Sequence, residues 1–216
     1  MTDSTPATDR DDTVDRARDL TLVPVFAGIV AATAVVPTLN VVPGVPITLQ
    51  SVGVILAGAV LGARRGGLAL LLWLVLLAVG LPVRANGAGL GVFFSASGGF
   101  LIGFPVAAYV VGWLTERFGA PYRLSTGLVA NTVGGIVVLY AFGVWPYTYY
   151  LGTSFTDTLV AFTAFLPGDI AKVVIAALIA RGVHAAYPGL IPSRSTVGVE
   201  REQRGIAEGS EDPARG

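Results

Sequence analysis

Lys172 is the only lysine in the chain, and it follows Asp169 by three residues in GDIAKVVIAALIA, an otherwise apolar run. An ionisable side chain inside such a helix costs roughly 2.5–3.5 kcal/mol on insertion scales. A spacing of three puts both groups on one helix face, where each neutralises the other. Two arrangements satisfy this. In one, the Pro167-Gly168 break starts a helix, Asp169 caps it and Lys172 snorkels to a membrane surface. In the other, both groups face a polar pocket between helices. The chain uses arginine, not lysine, at the edges of its apolar runs, which favours the second.

Other chemistry is excluded by what the sequence lacks. No G-x-x-x-x-G-K-[ST] occurs, since the single lysine is followed by valine, so ATP is not hydrolysed here by a P-loop. There is no H-E-x-x-H zinc site and no cysteine to act as nucleophile, metal ligand or disulfide. Ser97, in SASGGF, is a nominal nucleophile. The only histidine, His184, is expected at the other side of the molecule and at its surface, too far away to activate the serine. Asp11, Asp12 and Asp15 read as a solvated charged tail and not as a metal site. No enzyme, metal or cofactor is expected.

The elements that must position Asp169 and Lys172 are membrane helices. Of 216 residues, 53% are hydrophobic and 13% charged, against roughly 25% charged in an ordinary soluble domain. The acids are crowded at the ends: six precede Leu20, five follow Pro192, and only Glu116, Asp157 and Asp169 lie between. Residues 1–19 and 193–216 are therefore expected to be disordered cytoplasmic tails, and 20–192 the membrane domain. The zero net charge gives no sign of a nucleic-acid partner.

A spanning helix needs ~20 apolar residues. Six runs qualify as candidates: Leu20–Leu39, Ile47–Leu61, Gly66–Leu81, Gly98–Phe118, Leu124–Val144 and Gly168–Tyr187. The second and third are short. The runs lack the alternation of a membrane β-barrel, so the expected class is all-α. Cytoplasmic loops carry excess Lys and Arg. With the N-terminus inside, the inner segments hold Arg16, Arg18, Arg64, Arg65, Arg117, Arg123, Arg181 and Arg194. The outer loops Asn40–Pro46, Pro82–Ser97 and Trp145–Pro167 hold only Arg84. This supports six spans with both termini cytoplasmic.

That topology gathers polar groups on the outer side: Asp169 and Lys172, Gln50 in VPITLQ, and Arg84 and Asn86 in the second outer loop. Their common side suggests solute capture from outside. Trp145, Tyr147, Tyr149 and Tyr150 form either an interfacial belt or part of a ligand cover. Glu116 and Arg117, at the inner end of the fourth span, are expected to be solvated. In the first span, Ala27 and Ala31 form a small-x-x-x-small pair that lets another helix approach, either within the protein or from a partner.

The stretches VPGVPITLQSVGVILAGAVLGARRGGLALLLWLVLLAVGLPV, GLGVFFSASGGFLIGFPVAAYVVGWLTER and FLPGDIAKVVIAALIA, in this order, resemble the biotin-specific S components of energy-coupling factor (ECF) transporters, the BioY type. The resemblance runs from about Leu20 to Ala186. It implies a six-helix vitamin-binding bundle that works with a transmembrane coupling protein and two ATPase subunits, which would account for the missing P-loop. It implies that Asp169 and Lys172 line a biotin pocket, that Gln50 is a second pocket group, and that Ala27 and Ala31 meet the partner. The sequence departs from the family's pattern at VRANGAG and SASGGF, so Arg84 and Asn86 are candidates on chemistry alone. The expected function is capture of biotin outside and delivery inward by the ATP-driven ECF module. The alternatives are another vitamin or heterocycle as substrate, an intramembrane enzyme, or a structural membrane protein.

Overall fold

A computed structural model of the protein describes residues 7–190 apart from residue 37 and residues 43–44. The predicted tail 193–216 lies outside the described residues. Helix α1 (Ala7–Ala32) starts well before the predicted boundary at Leu20. The sequence explains the extension. From Ala7 there is no proline before Pro24 and no glycine before Gly28, so nothing interrupts the backbone ladder.

A short antiparallel hairpin follows, β1 (Leu39–Val42) with β2 (Val45–Ile47), pairing Leu39 with Ile47 and Val42 with Val45. It lies between the first two spans and is the exception to the all-α expectation among the described residues. The membrane body itself is helical.

Among the described residues, five continuous helical stretches are long and apolar enough to cross a bilayer. One of them, α2 (Gln50–Ala78), is two spans. Gly62 has φ +83 and ψ −176 inside it, a conformation only glycine adopts readily. The chain reverses there. Gly66 lies against Ala57 and Gly58, close enough that a Cβ would sit 2.9 Å from the Ala57 carbonyl oxygen. At the far ends of the two arms, Gln50 and Trp73 both donate to the Val83 carbonyl. The six predicted spans are therefore present, the second and third as arms of a helical hairpin. At 1.5 Å per residue the arms 50–61 and 63–78 are only about 18 and 24 Å long, as their short apolar runs foretold.

The remaining spans are α3 (Gly98–Phe118), the run Leu124–Leu151, and the run Phe155–Ala186. The fifth is composite: α4 (Leu124–Thr132), a π-helical segment (Val133–Val138) and α5 (Leu139–Leu151). Its far end and the short helix α6 (Phe155–Phe162) occupy most of the predicted loop Trp145–Pro167. The last span, α7 (Leu166–Ala186), begins with Pro167 in its first turn, where the missing N–H costs nothing.

With lipid outside, tight helix contact comes from small residues. A Cβ on Gly112 would collide with the Gly62 carbonyl carbon, and one on Gly58 with the Ala108 carbonyl oxygen, so α3 lies directly on the hairpin. The buried face of α7 is Val173, Ala176, Ala177 and Ala180. Asn131 on α4 is fully buried and donates to the Val173 carbonyl at 3.2 Å, tying α4 to α7.

Candidate functional site: a polar cavity at one end of the bundle

The first turn of α7 places Asp169 beneath the Pro167 break, and one helical turn carries Lys172 onto the same face. Lys172 Nζ donates to Asp169 Oδ1 at 2.9 Å. Lys172 is only 8% exposed, and both side chains line a cavity of about 80 Å³. Neither side chain is exposed on the outside of the bundle. The second carboxylate oxygen, Oδ2, accepts from the Tyr140 hydroxyl of α5 at 2.8 Å.

The opposite wall comes from the start of α2 and the loop before α3. Gln50 is 2% exposed and lines the cavity; its amide N–H holds the Val83 carbonyl at 2.9 Å. Holding Val83 fixes the neighbouring Arg84, which also lines the cavity. Arg84 donates to the Asn86 carbonyl oxygen at 2.6 Å and to Ser97 Oγ at 3.0 Å. Ser97 Oγ lies 3.2 Å from Ser95 Oγ. Among the described residues no carboxylate pairs with Arg84. Burial without a counter-ion pulls the guanidinium below its usual pKa. It still carries charge, because that usual value is far above neutrality, and a guanidinium has five N–H donors, so spare ones remain. Phe100 and Phe104 of α3, with Phe165 before α7, supply apolar walls. Gly135 of the π-helical segment also lines the cavity and presses on Ile55.

Of the five residues expected to bind substrate, four line this cavity: Asp169, Lys172, Gln50 and Arg84. Asn86 does not. It is exposed, and its contribution is the backbone carbonyl that holds Arg84. The aromatic group divides. Tyr147 is buried against Phe162, while Trp145, Tyr149 and Tyr150 are exposed on the outside of the bundle, and none of the four lines the cavity. Sequence reasoning missed Tyr140. A tyrosine in an apolar helix carries no signal by itself; its distance from Asp169 depends on how two spans pack.

Away from the cavity lining, the structure differs from expectation in three places. Glu116 is not merely solvated. Its Oε1 accepts the Ala63 N–H at 2.9 Å and so caps the second arm of the α2 hairpin. His184 is not at the surface. It is 8% exposed, stacks on Tyr122 with ring centroids 4.9 Å apart, and lies 2.8 Å from the Ala59 carbonyl oxygen. Ala27 is 1% exposed and packs in the chain's own core beside Val30, which meets Gly53 of α2. Ala31 is half-buried. The small-residue spacing thus serves internal packing first. The open face of α1 carries Pro24, Val25, Gly28 and Ala32.

Residues 4–189 match the model of the BioY family. The chain is 46% identical over 187 residues to a protein of Rhizobium etli described as biotin transporter BioY, covering 82% of this chain and 98% of that one. It is 43% identical to the biotin transporter BioY of Rhodobacter capsulatus, with the same coverage. A third relative, from Thermotoga maritima, is 38% identical over 71% of this chain and 90% of its own. Among solved structures, the fold matches the crystal structure of the S-component for biotin from an ECF-type ABC transporter. The TM-score is 0.74 at 22% identity, over 86% of this chain and 95% of that one.

Proposed function

The chain belongs to the BioY family, and from that premise we propose that it captures biotin at the outer face of the cell membrane and delivers it inward with an ATP-driven ECF module. The cavity chemistry is the observation that carries this reading. The ureido ring of biotin presents two N–H donors and one carbonyl acceptor. Asp169 offers acceptor lone pairs, and Lys172 has N–H groups beyond the one given to Asp169. The valerate carboxylate needs a cation, and Arg84 is a partly buried one without a carboxylate partner among the described residues. Phe100, Phe104 and Phe165 suit the fused rings and the methylene chain. The Gln50 amide oxygen is a further acceptor.

Orientation follows from charge. Arg64, Arg65 and His184 cluster with Glu116 at the end of the bundle opposite the cavity. If the arginine-rich end is cytoplasmic, the cavity opens outward and both termini lie inside. The chain carries no P-loop, so the energy for inward release comes from partners: a transmembrane coupling protein and two ATPase subunits. A helix of the coupling protein would lie along the open face of α1, at Gly28 and Ala32, with Ala31 at its border and Ala27 supporting it from behind.

Equilibrium binding of labelled biotin to the detergent-purified protein tests the reading. Saturable binding that Asp169→Asn and Lys172→Ala each weaken by about 100-fold is expected. A folded parent that binds no biotin would overturn it, and variants that bind as tightly as the parent would move the site elsewhere.

A further inference from the structure

We infer that Tyr140 is a positioning residue for ligand recognition, fixing the Asp169 carboxylate so that both it and Lys172 keep hydrogen-bonding capacity for the ligand; this rests on the biotin-binding reading above. Lys172 stands one turn from Asp169 on the same helix, where an ammonium can slide between both carboxylate oxygens and spend a second of its three N–H groups on them. Tyr140 prevents this from a different span. Its hydroxyl donates to Oδ2 at 2.8 Å, while Lys172 holds Oδ1 at 2.9 Å. The Phe162 carbonyl, at 3.4 Å from the same hydroxyl, is the weaker acceptor, so the hydroxyl proton goes to the carboxylate. Each carboxylate oxygen then retains a lone pair, and Lys172 retains donors.

The ring of Tyr140 is itself held. Phe162, 1% exposed, meets it edge-on at 5.2 Å and also contacts Phe100 and Phe165 of the cavity wall. One buried aromatic therefore sets both the tyrosine that aims the carboxylate and the apolar walls that cover a ligand. Tyr140 lines the cavity as well, and its hydroxyl, having donated its only proton, can still accept from a ligand N–H.

The test is a binding cycle on the full-length protein, with labelled biotin and a biotin analogue methylated on a ureido nitrogen. Loss of one hydrogen bond to a charged group predicts that Tyr140→Phe weakens biotin about tenfold. The variant should also narrow the parent's preference for biotin over the methylated analogue, a readout that packing alone would not move. In an Asp169→Asn background the same change should cost much less, because the tyrosine acts through the aspartate. A Phe162→Leu variant, which keeps the hydroxyl but frees the ring, should give a smaller loss of the same kind and serves if Tyr140→Phe does not fold. Full additivity with Asp169→Asn, or unchanged discrimination in the folded variant, overturns the inference while leaving biotin binding by the parent intact. Absence of biotin binding by the parent would instead overturn the underlying reading.

Discussion

The two ends of the bundle contain similar polar groups and use them in opposite ways. At the arginine-rich end the acids and the histidine are consumed by the fold, although the buried Tyr122 hydroxyl beside them has no hydrogen-bond partner among the described residues. Glu116 caps the second arm of α2, Asp19 takes Arg65 at 2.6 Å and Arg64 at 3.6 Å, and His184 meets the Ala59 carbonyl. At the cavity end they are held but not exhausted. Asp169 is fixed from two sides with lone pairs left, Lys172 keeps donors, and Arg84 has hydrogen bonds but no counter-ion among the described residues. A buried polar group that is fully satisfied locks geometry. One that is positioned yet under-used waits for a ligand.

The largest expected effect breaks the cavity end. Asp169→Asn should weaken biotin by about 100-fold, since charge-assisted bonds contribute roughly 1.5–3 kcal/mol, while the unliganded protein, with Lys172 left without its carboxylate, melts below the parent temperature. Isothermal titration and thermal unfolding in the same detergent check both halves. Next comes the other end. Gly62→Ala forces a side chain into positive φ and against Glu116, so stability should fall by about 1–3 kcal/mol. Biotin affinity of the folded fraction should stay unchanged; a variant that loses affinity without losing stability would erase the distinction between the ends.

Smaller effects sharpen the comparison. Arg84→Gln should weaken biotin about tenfold. It should leave a biotin ester, which lacks the carboxylate, nearly unaffected; competition binding with the two ligands separates them. Equal losses for both would mean that Arg84 only supports its loop. Smallest of all, Glu116→Gln keeps an acceptor for the Ala63 N–H but removes its charge. It should lower stability by less than about 1 kcal/mol and leave binding untouched, as unfolding and binding curves on one preparation would reveal.

Much of this division was legible in the sequence because lipid makes polarity conspicuous. Asp169, Lys172 and Gln50 stand out against apolar neighbours, and the alternating arginines order the spans. Residues whose role depends on contact between spans were not legible. Tyr140 and Asn131 look ordinary until α5 and α4 are laid beside α7. Ala27 illustrates the reverse: its spacing signals close helix approach, yet spacing cannot say whether the neighbour is the chain's own α2 or a partner. The helical start at Ala7 is hidden by its charged composition, although no proline or glycine interrupts the backbone there. Hydropathy likewise ended the fifth span early, since WPYTYY reads as loop although α5 carries it.

The π-helical segment at Val133–Val138 acts as a phase shift in the fifth span. An ordinary helix turns about 100° per residue, so a segment that takes up one additional residue sets everything beyond it back by that amount relative to a regular helix of the same sequence. Asn131 on one side of the segment and Tyr140 on the other both reach α7, at Val173 and Asp169 respectively. Rewinding 133–138 as regular α-helix with every residue kept would swing the tyrosine a quarter-turn or more off its aspartate, disarming recognition without touching any group that meets the vitamin, whereas deleting one residue from the segment would restore regular winding and keep both contacts in phase.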